Sequence, residues 1–160
     1  MPELGKERAM NAKKILYPTD LSELSRTALD YAAALAQESD GELLVVHVQE
    51  PGGAYVFGDS FFSGATDVDT GALRKALEAV RPENAAIRCR HRLLTGNPAD
   101  QIVSLAEREK VDVIVMATHG RTGLMHLLMG SVAEAVIRRA HCPVLSFKPE
   151  FQGTAQAARV

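Results

Sequence analysis

The amino-acid sequence predicts an α/β domain in three layers, an open five-stranded parallel sheet with helices on both faces. Three observations carry that prediction. Five short apolar runs alternate with segments of helical periodicity, in the order β-α-β-α-β-α-β-α-β. Two of the runs, 43–48 and 111–117, are nearly unbroken in Leu, Val, Ile and Met, as strands covered on both faces are. The length of 160 residues fits one domain, and a chain of that size buries roughly 70% of its unfolded surface.

The first strand lies at 15–17 and ends at Pro18, Thr19 and Asp20. In the helix that follows, Leu24, Ala28, Tyr31, Ala32 and Leu35 recur at helical spacing, with Asp20 placed as cap and Glu23 as N3 partner. The second strand is 43–48. Residues 51–66 then break the pattern, because Gly52, Gly53, Gly58 and Gly64 mingle with Tyr55, Phe57, Phe61 and Phe62. This reads as a flexible loop serving as a lid, a binding surface or a disordered segment. Leu73, Leu77 and Val80 mark a second helix. The third strand, 87–94, sets Arg88, Arg90 and Arg92 among Ile87, Cys89 and Leu93, a partial alternation that places it half exposed near an edge.

Asn97-Pro98 opens a third helix, a cap followed by proline at N1, ahead of Ile102, Leu105 and Ala106. The fourth strand is 111–117. Ser131 with Glu134 then forms an S-x-x-E capping box before Val132, Ala135 and Val136. The last strand, 142–147, starts near Pro143, which cannot donate to a ladder and suits a strand start or a sheet edge. The chain thus divides into an N-terminal extension at 1–12, one domain over 13–148 and a small, polar tail at 149–160.

Composition narrows the function classes. Hydrophobic residues are 46% and charged residues 24%, as in ordinary globular chains. With 18 Lys+Arg against 20 Asp+Glu there is no global basic field, so no nucleic-acid partner is expected. No stretch reaches the ~18 apolar residues of a membrane span, so no membrane partner is expected either. Residues 1–14, with Glu3, Lys6, Glu7, Arg8, Lys13 and Lys14, lack the apolar core of a secretory signal. Cys89 and Cys142 stand far apart without a CxxC, which argues against a disulfide framework or a Cys-rich zinc site and makes the reducing cytoplasm the expected compartment. His, Asp and Glu are scattered without metal-ligand spacing.

In an open parallel sheet, ligands bind beyond the carboxyl ends of strands, where the strand order reverses. Two strand ends are unusual here. The first runs into Pro18-Thr19-Asp20. The fourth runs into Met116-Ala117-Thr118-His119-Gly120-Arg121-Thr122-Gly123, and Gly130-Ser131 then opens a helix. Glycine lets backbone approach a ligand closely. The Gly130-Ser131 step offers free backbone N–H groups and the positive end of a helix dipole, a seat for phosphate. This is neither a Walker A loop, which ends in Gly-Lys-Ser/Thr, nor a G-x-G-x-x-G turn after the first strand.

Taken alone, these residues leave alternatives open. Gly120 and Gly123 either mark a phosphate site or only shape a loop, and Ser131 either serves phosphate or only caps. Asp20 either hydrogen-bonds a ribose or caps a helix. Arg121 either pairs with a phosphate or stays solvated. His47, inside an apolar strand, reads as a satisfied core histidine, and both cysteines read as small hydrophobes.

The run from Met116 to Gly123, the nine residues from Arg121 to Met129, and Gly130-Ser131-Val132 resemble the universal stress protein family, whose nucleotide-binding members carry G-x2-G-x9-G-S/T. The opening Ile15-Leu16-Tyr17-Pro18-Thr19-Asp20-Leu21-Ser22, the Val46-His47-Val48 strand end, the Gly96-Asn97-Pro98 turn and the closing Cys142-Pro143-Val144-Leu145 resemble that family in order and spacing. The resemblance covers 13–148. It implies a Rossmann-like domain, akin to the adenine nucleotide alpha hydrolases, that binds ATP and pairs as a homodimer through residues 142–148. A magnesium ion could accompany the ATP through its phosphates and waters, needing few protein ligands.

Carried over by position, the resemblance implies that Pro18, Thr19, Asp20 and Val48 line an adenosine pocket. Met116, Ala117 and Gly120 would face the ribose and phosphates, His119 and Arg121 would lie in the phosphate loop, and Gly130, Ser131 and Val132 would hold the phosphates. One position departs from the pattern. The first motif glycine is Ala117, giving A-x2-G-x9-G-S. Its methyl is benign if the local backbone stays at φ < 0, and it crowds a ligand if that backbone must come close.

Three functions from different classes follow. The first is a cytoplasmic binding module, a dimeric regulator that responds to ATP. The second is a slow ATPase. Efficient phosphoryl transfer wants a positioned base, metal-holding carboxylates and a cation, yet residues 116–132 contain no acidic residue and only Asp20 comes from the first strand end. That favours binding with little or no hydrolysis. The third is a nucleotide-free dimeric interaction protein in which Ala117 has closed the site.

Overall fold

Along each central strand, successive side chains point to opposite faces of the sheet, and each face meets its own helical layer. The computed structural model describes residues 11–52, 54–57, 60–63, 70–118 and 129–148. Its elements are β1 (Lys14–Pro18), α1 (Arg26–Glu38), β2 (Glu42–Gln49), β3 (Ala54–Phe57), β4 (Ser60–Ser63), α2 (Thr70–Ala79), β5 (Arg88–Thr95), α3 (Pro98–Glu109), β6 (Val113–Ala117), α4 (Ser131–Arg139) and β7 (Val144–Phe147). The main sheet has five strands in the order β5-β2-β1-β6-β7, and every neighbouring pair is parallel. The expected open parallel sheet is therefore present.

Period-two alternation sorts the core into two clusters. Leu16, Leu44, Val46, Val48, Ile114 and Met116 pack with Ile102, Leu105 and Ala106 of α3 and with Ala133 and Val136 of α4. Ile15, Tyr17, Leu43, Val45, Val113 and Val115 pack with Ala28, Leu29, Ala32 and Ala36 of α1 and with Leu77 of α2. Burying such side chains at about 25 cal/mol per Å² is what drives the two layers onto the sheet. β5 and β7 are the edges. The arginine-rich third strand and the Pro143-led fifth strand thus take the edge positions their sequences suggested.

Local chemistry sets several boundaries differently from the pattern. Lys110 turns left-handed at φ 53 and the Val111 N–H closes onto the Ala106 carbonyl at 2.9 Å, so 111–112 belong to the turn after α3 rather than to β6. Asn97 caps α3 as expected, its side chain accepting from the Asp100 N–H at 3.1 Å. The two other caps are corrected. Asp20 accepts from the N–H and hydroxyl of Ser22, at 3.0 and 2.6 Å, a local turn that takes the carboxylate away from any helix. A 3-10 turn over Glu23–Ser25 then precedes α1. At α4 the cap is Gly130, whose carbonyl accepts the first intrahelical bond from the Glu134 N–H, while Ser131 is already the first helical residue. Glu134 pairs with Arg138 instead of closing a capping box.

Within 51–66 the described residues include two short strands that the loop expectation did not contain: β3 and β4 pair antiparallel, Ala54 opposite Ser63 and Phe57 opposite Ser60. Tyr31 is not part of the buried face of α1. It is 53% exposed and stacks on Phe147 of β7, with ring centroids 3.9 Å apart. Gly41, between α1 and β2, is dictated by close approach, since a Cβ there would sit 2.6 Å from the Ala12 carbonyl oxygen.

Candidate functional site

The strand order reverses between β1 and β6, because β2 lies on one side of β1 and β6 on the other. The crevice beyond the carboxyl ends of these two strands is the place where such a sheet takes a ligand. The first of the two unusual strand ends follows β1 and the second follows β6, its neighbour in the sheet.

Four hydrogen bonds tie the chain segments at these strand ends. The Thr19 N–H continues the β1–β2 ladder to the Val46 carbonyl at 2.9 Å. His47 of β2 sets its Nδ1 2.8 Å from the Thr19 carbonyl oxygen. Where β6 ends, the Thr118 N–H donates to the Phe147 carbonyl at 2.8 Å, and the Thr118 carbonyl accepts from the Gly130 N–H at 2.7 Å. Thr118 thus joins the end of β7 to the start of α4.

Side-chain direction divides the residues between the two faces. Val48 and Met116 belong to the cluster under α3 and α4, with Met129 and Val132 packed against it. Ala117 packs against the opposite cluster, on the α1 side, together with Phe147. Its methyl therefore lies across the sheet from α4, and its backbone is not among the left-handed positions. Pro18 ends β1 opposite Val46.

Asp20 is half-buried and held by Ser22. The turn itself is tightly fixed. Leu21 is left-handed at φ 66, with its N–H donating to Thr19 Oγ1 at 3.0 Å. Tyr17 donates its hydroxyl to the Ser25 carbonyl at 2.8 Å, and burial pushes that phenol above its ordinary pKa, outweighing the contacts to Ser25 and Thr19.

The donors at α4 are specific. The Gly130 N–H is taken by Thr118, which corrects the expectation that it is free for a ligand. The N–H groups of Ser131, Val132 and Ala133 precede the first intrahelical bond and head the helix dipole. Gly130 has φ −72 and ψ 153, a conformation open to any residue. His119, Gly120 and Arg121 lie outside the described residues.

His47 is buried and hydrogen-bonded, as expected of a core histidine, but its role as a prop for the turn and that of Thr118 as a backbone bridge carry no motif. The signal for His47 was its place one residue before Val48, on the face of β2 that also carries Leu43 and Val45. Among the described residues no three His, Cys, Asp or Glu side chains converge to hold a metal ion. No helix there is long and apolar enough to cross a membrane. Cys89 and Cys142 are free and half-buried, and burial raises both thiols above their ordinary pKa.

Comparison with known proteins agrees with this fold. Residues 11–148 match the Universal stress protein family. The universal stress protein MJ0531 of Methanocaldococcus jannaschii is 39% identical over 142 residues, which cover 85% of this chain and 82% of that protein. A universal stress protein solved in complex with cAMP has a TM-score of 0.61 at 25% identity, covering 87% of this chain and 98% of the other. The universal stress protein of Archaeoglobus fulgidus in complex with dAMP has a TM-score of 0.58 at 26% identity, covering 83% and 95%. With a family match spanning nearly the whole described fold, the chain belongs to the universal stress protein family.

Proposed function

We propose that this chain binds ATP, or a related adenine nucleotide, at the carboxyl ends of β1 and β6, and that it acts in the cytoplasm as a nucleotide-responsive dimeric regulator with little or no hydrolysis. One observation carries the reading. At the switch point of the sheet the turn 18–20 follows β1, Met116 lies near the end of the neighbouring β6, and Met116, Val48 and Val132 share one packed cluster, in a sheet whose solved relatives include cAMP and dAMP complexes.

In this reading Pro18, Thr19, Asp20 and Val48 line the adenosine pocket, with Met116 and Ala117 beside the ribose. Ser131 and Val132 offer N–H groups to the phosphates over Gly130, and His119, Gly120 and Arg121 complete the phosphate loop. The placement of Ala117 on the α1 side supports an open seat, because its methyl does not project toward α4. A magnesium ion accompanying ATP would be held by phosphates and water, which suits an ion that keeps much of its hydration shell.

The scarcity of carboxylates supports binding over turnover. Residues 116–132 supply none, and Asp20 is engaged by Ser22. The dimer reading is supported by β7, an edge strand whose Leu145 is 37% exposed beside the Tyr31–Phe147 stack. An occupied site regulates only if the nucleotide prefers one state of the dimer or its partner over another.

The test is Gly130→Val. The backbone there already has an extended conformation that valine adopts readily, so the substitution adds bulk at the seat without forcing a new fold. ATP affinity measured by calorimetry falls by more than about tenfold, a loss of ~1.4 kcal/mol. Unchanged affinity would move the phosphates away from α4.

A further inference from the structure

The turn that would read the adenosine stands on a buried polar scaffold. Tyr17, Thr19, Ser25 and His47 are 0, 7, 4 and 2% exposed, yet all four carry polar groups. Their hydrogen bonds form one connected set. Ser25 Oγ donates to the Ser22 carbonyl at 2.7 Å, which uses its proton. The Thr19 hydroxyl, 3.0 Å away, therefore donates to Ser25 Oγ while accepting from the Leu21 N–H. The Tyr17 hydroxyl donates to the Ser25 carbonyl. His47 supplies the remaining prop from the neighbouring strand. A carbonyl only accepts, so Nδ1 carries the proton and donates to the Thr19 oxygen at 2.8 Å.

This scaffold holds a conformation the turn would not keep alone. Leu21 is left-handed, which is uncommon for a residue with a side chain and persists where the surroundings over-determine it. Asp20 is its immediate neighbour. A small rotation at Leu21 or a shift of the Thr19 carbonyl therefore moves the Asp20 carboxylate, whereas the N-terminus of α4 is tied separately, through Thr118.

We propose that His47 is a positioning residue for the adenosine half of the site. Its Nδ1–H fixes the Thr19 carbonyl and thereby the turn that presents Pro18, Thr19 and Asp20, and it has no part in holding the phosphates. This rests on the nucleotide-binding reading above and adds to it a division of the site into two independently supported halves.

The experiment compares ATP with inorganic tripolyphosphate, which offers phosphates without adenosine, by calorimetry on the full chain. His47→Leu weakens ATP by about tenfold and leaves tripolyphosphate within about twofold. His47→Asn, whose amide nitrogen takes the place of Nδ1, returns ATP to within about threefold of the parent. If the leucine variant does not fold, Ser25→Ala removes the hydroxyl beneath Thr19 and shows the same selective loss. Equal weakening of both ligands, no weakening of ATP, or no rescue by asparagine overturns the positioning role. So does a parent protein that binds ATP but not tripolyphosphate, because the phosphate half then has no affinity of its own. A parent that binds neither ligand overturns the nucleotide reading itself, and the positioning role with it.

Discussion

Glu109 closes α3 at the end of the sheet remote from the candidate site. Its carboxylate lies 3.3 Å from Arg90 and 3.4 Å from Lys14, and Glu42 shares both cations. Desolvation works against the charged carboxylate, but the hydrogen bonds and charges of Arg90 and Lys14 together outweigh it and hold Glu109 below the ordinary glutamate range. The sign follows from linkage. A depressed carboxyl contributes stability that is present above the unfolded value and is lost as pH falls through the folded one. Glu109→Gln therefore melts lower than the parent at pH 7, by no more than about 4 °C because the group is partly solvated. As pH falls from the ordinary glutamate range toward the lower folded value, the parent loses that advantage and the two melting temperatures converge. Parallel pH profiles would contradict the coupling.

At the same scale, Asp20 and Ser131 show what single-residue reading misses. Both are good cap residues, and the choice between capping and a local turn depends on neighbours that no spacing rule reports. Ser22 offers Asp20 both an N–H and a hydroxyl, and the left-handed Leu21 between them keeps Asp20 from leading straight into a helix. Gly130 already takes the cap position of α4, so Ser131 falls inside the helix.

Among the elements, β7 is the one on which the proposed dimer rests. It is four residues long, lies at the sheet edge and ends beside the exposed aromatic stack. Natural sheets cover or blunt such edges, and a second copy pairing strand to strand is one way to do so. In the proposed dimer, Leu145→Asp places a charge at the interface while costing the isolated domain little, since the side chain is over a third exposed. Sedimentation then shows a dimer for the parent and a monomer for the variant. A monomeric parent would contradict the proposed interface.

The strands and helices themselves were largely legible, because an apolar period reports which faces are buried. Asn97-Pro98 was legible for a local reason, a cap and a proline acting within one turn. The hairpin at β3 and β4 was not, because its glycines and aromatics suit a loop as well as a strand pair.

For the molecule as a whole, the sheet separates two ends with different tasks. The amino ends of the strands carry the ion cluster of Lys14, Glu42, Arg90 and Glu109. The carboxyl ends carry the candidate site. The strand order that makes this division was not legible, since periodicity records burial and not which strand lies beside which. Once β1 stands between β2 and β6, the two unusual strand ends become neighbours, and the motif residues at 116–118 and 130–132 gain a reason to be together.

The central claim is that this crevice holds an adenine nucleotide. It is tested most directly by denaturing the protein as purified, identifying any released nucleotide by chromatography, and titrating the stripped protein with ATP while following thermal unfolding. The account predicts near-stoichiometric adenine nucleotide or saturable rebinding, with about 2.7 kcal/mol of added stability at a hundredfold excess over Kd. That corresponds to a rise of roughly 5–10 °C in Tm for a domain of this size. An empty protein whose melting does not move at millimolar ATP would contradict it and leave a nucleotide-free interaction protein as the better description.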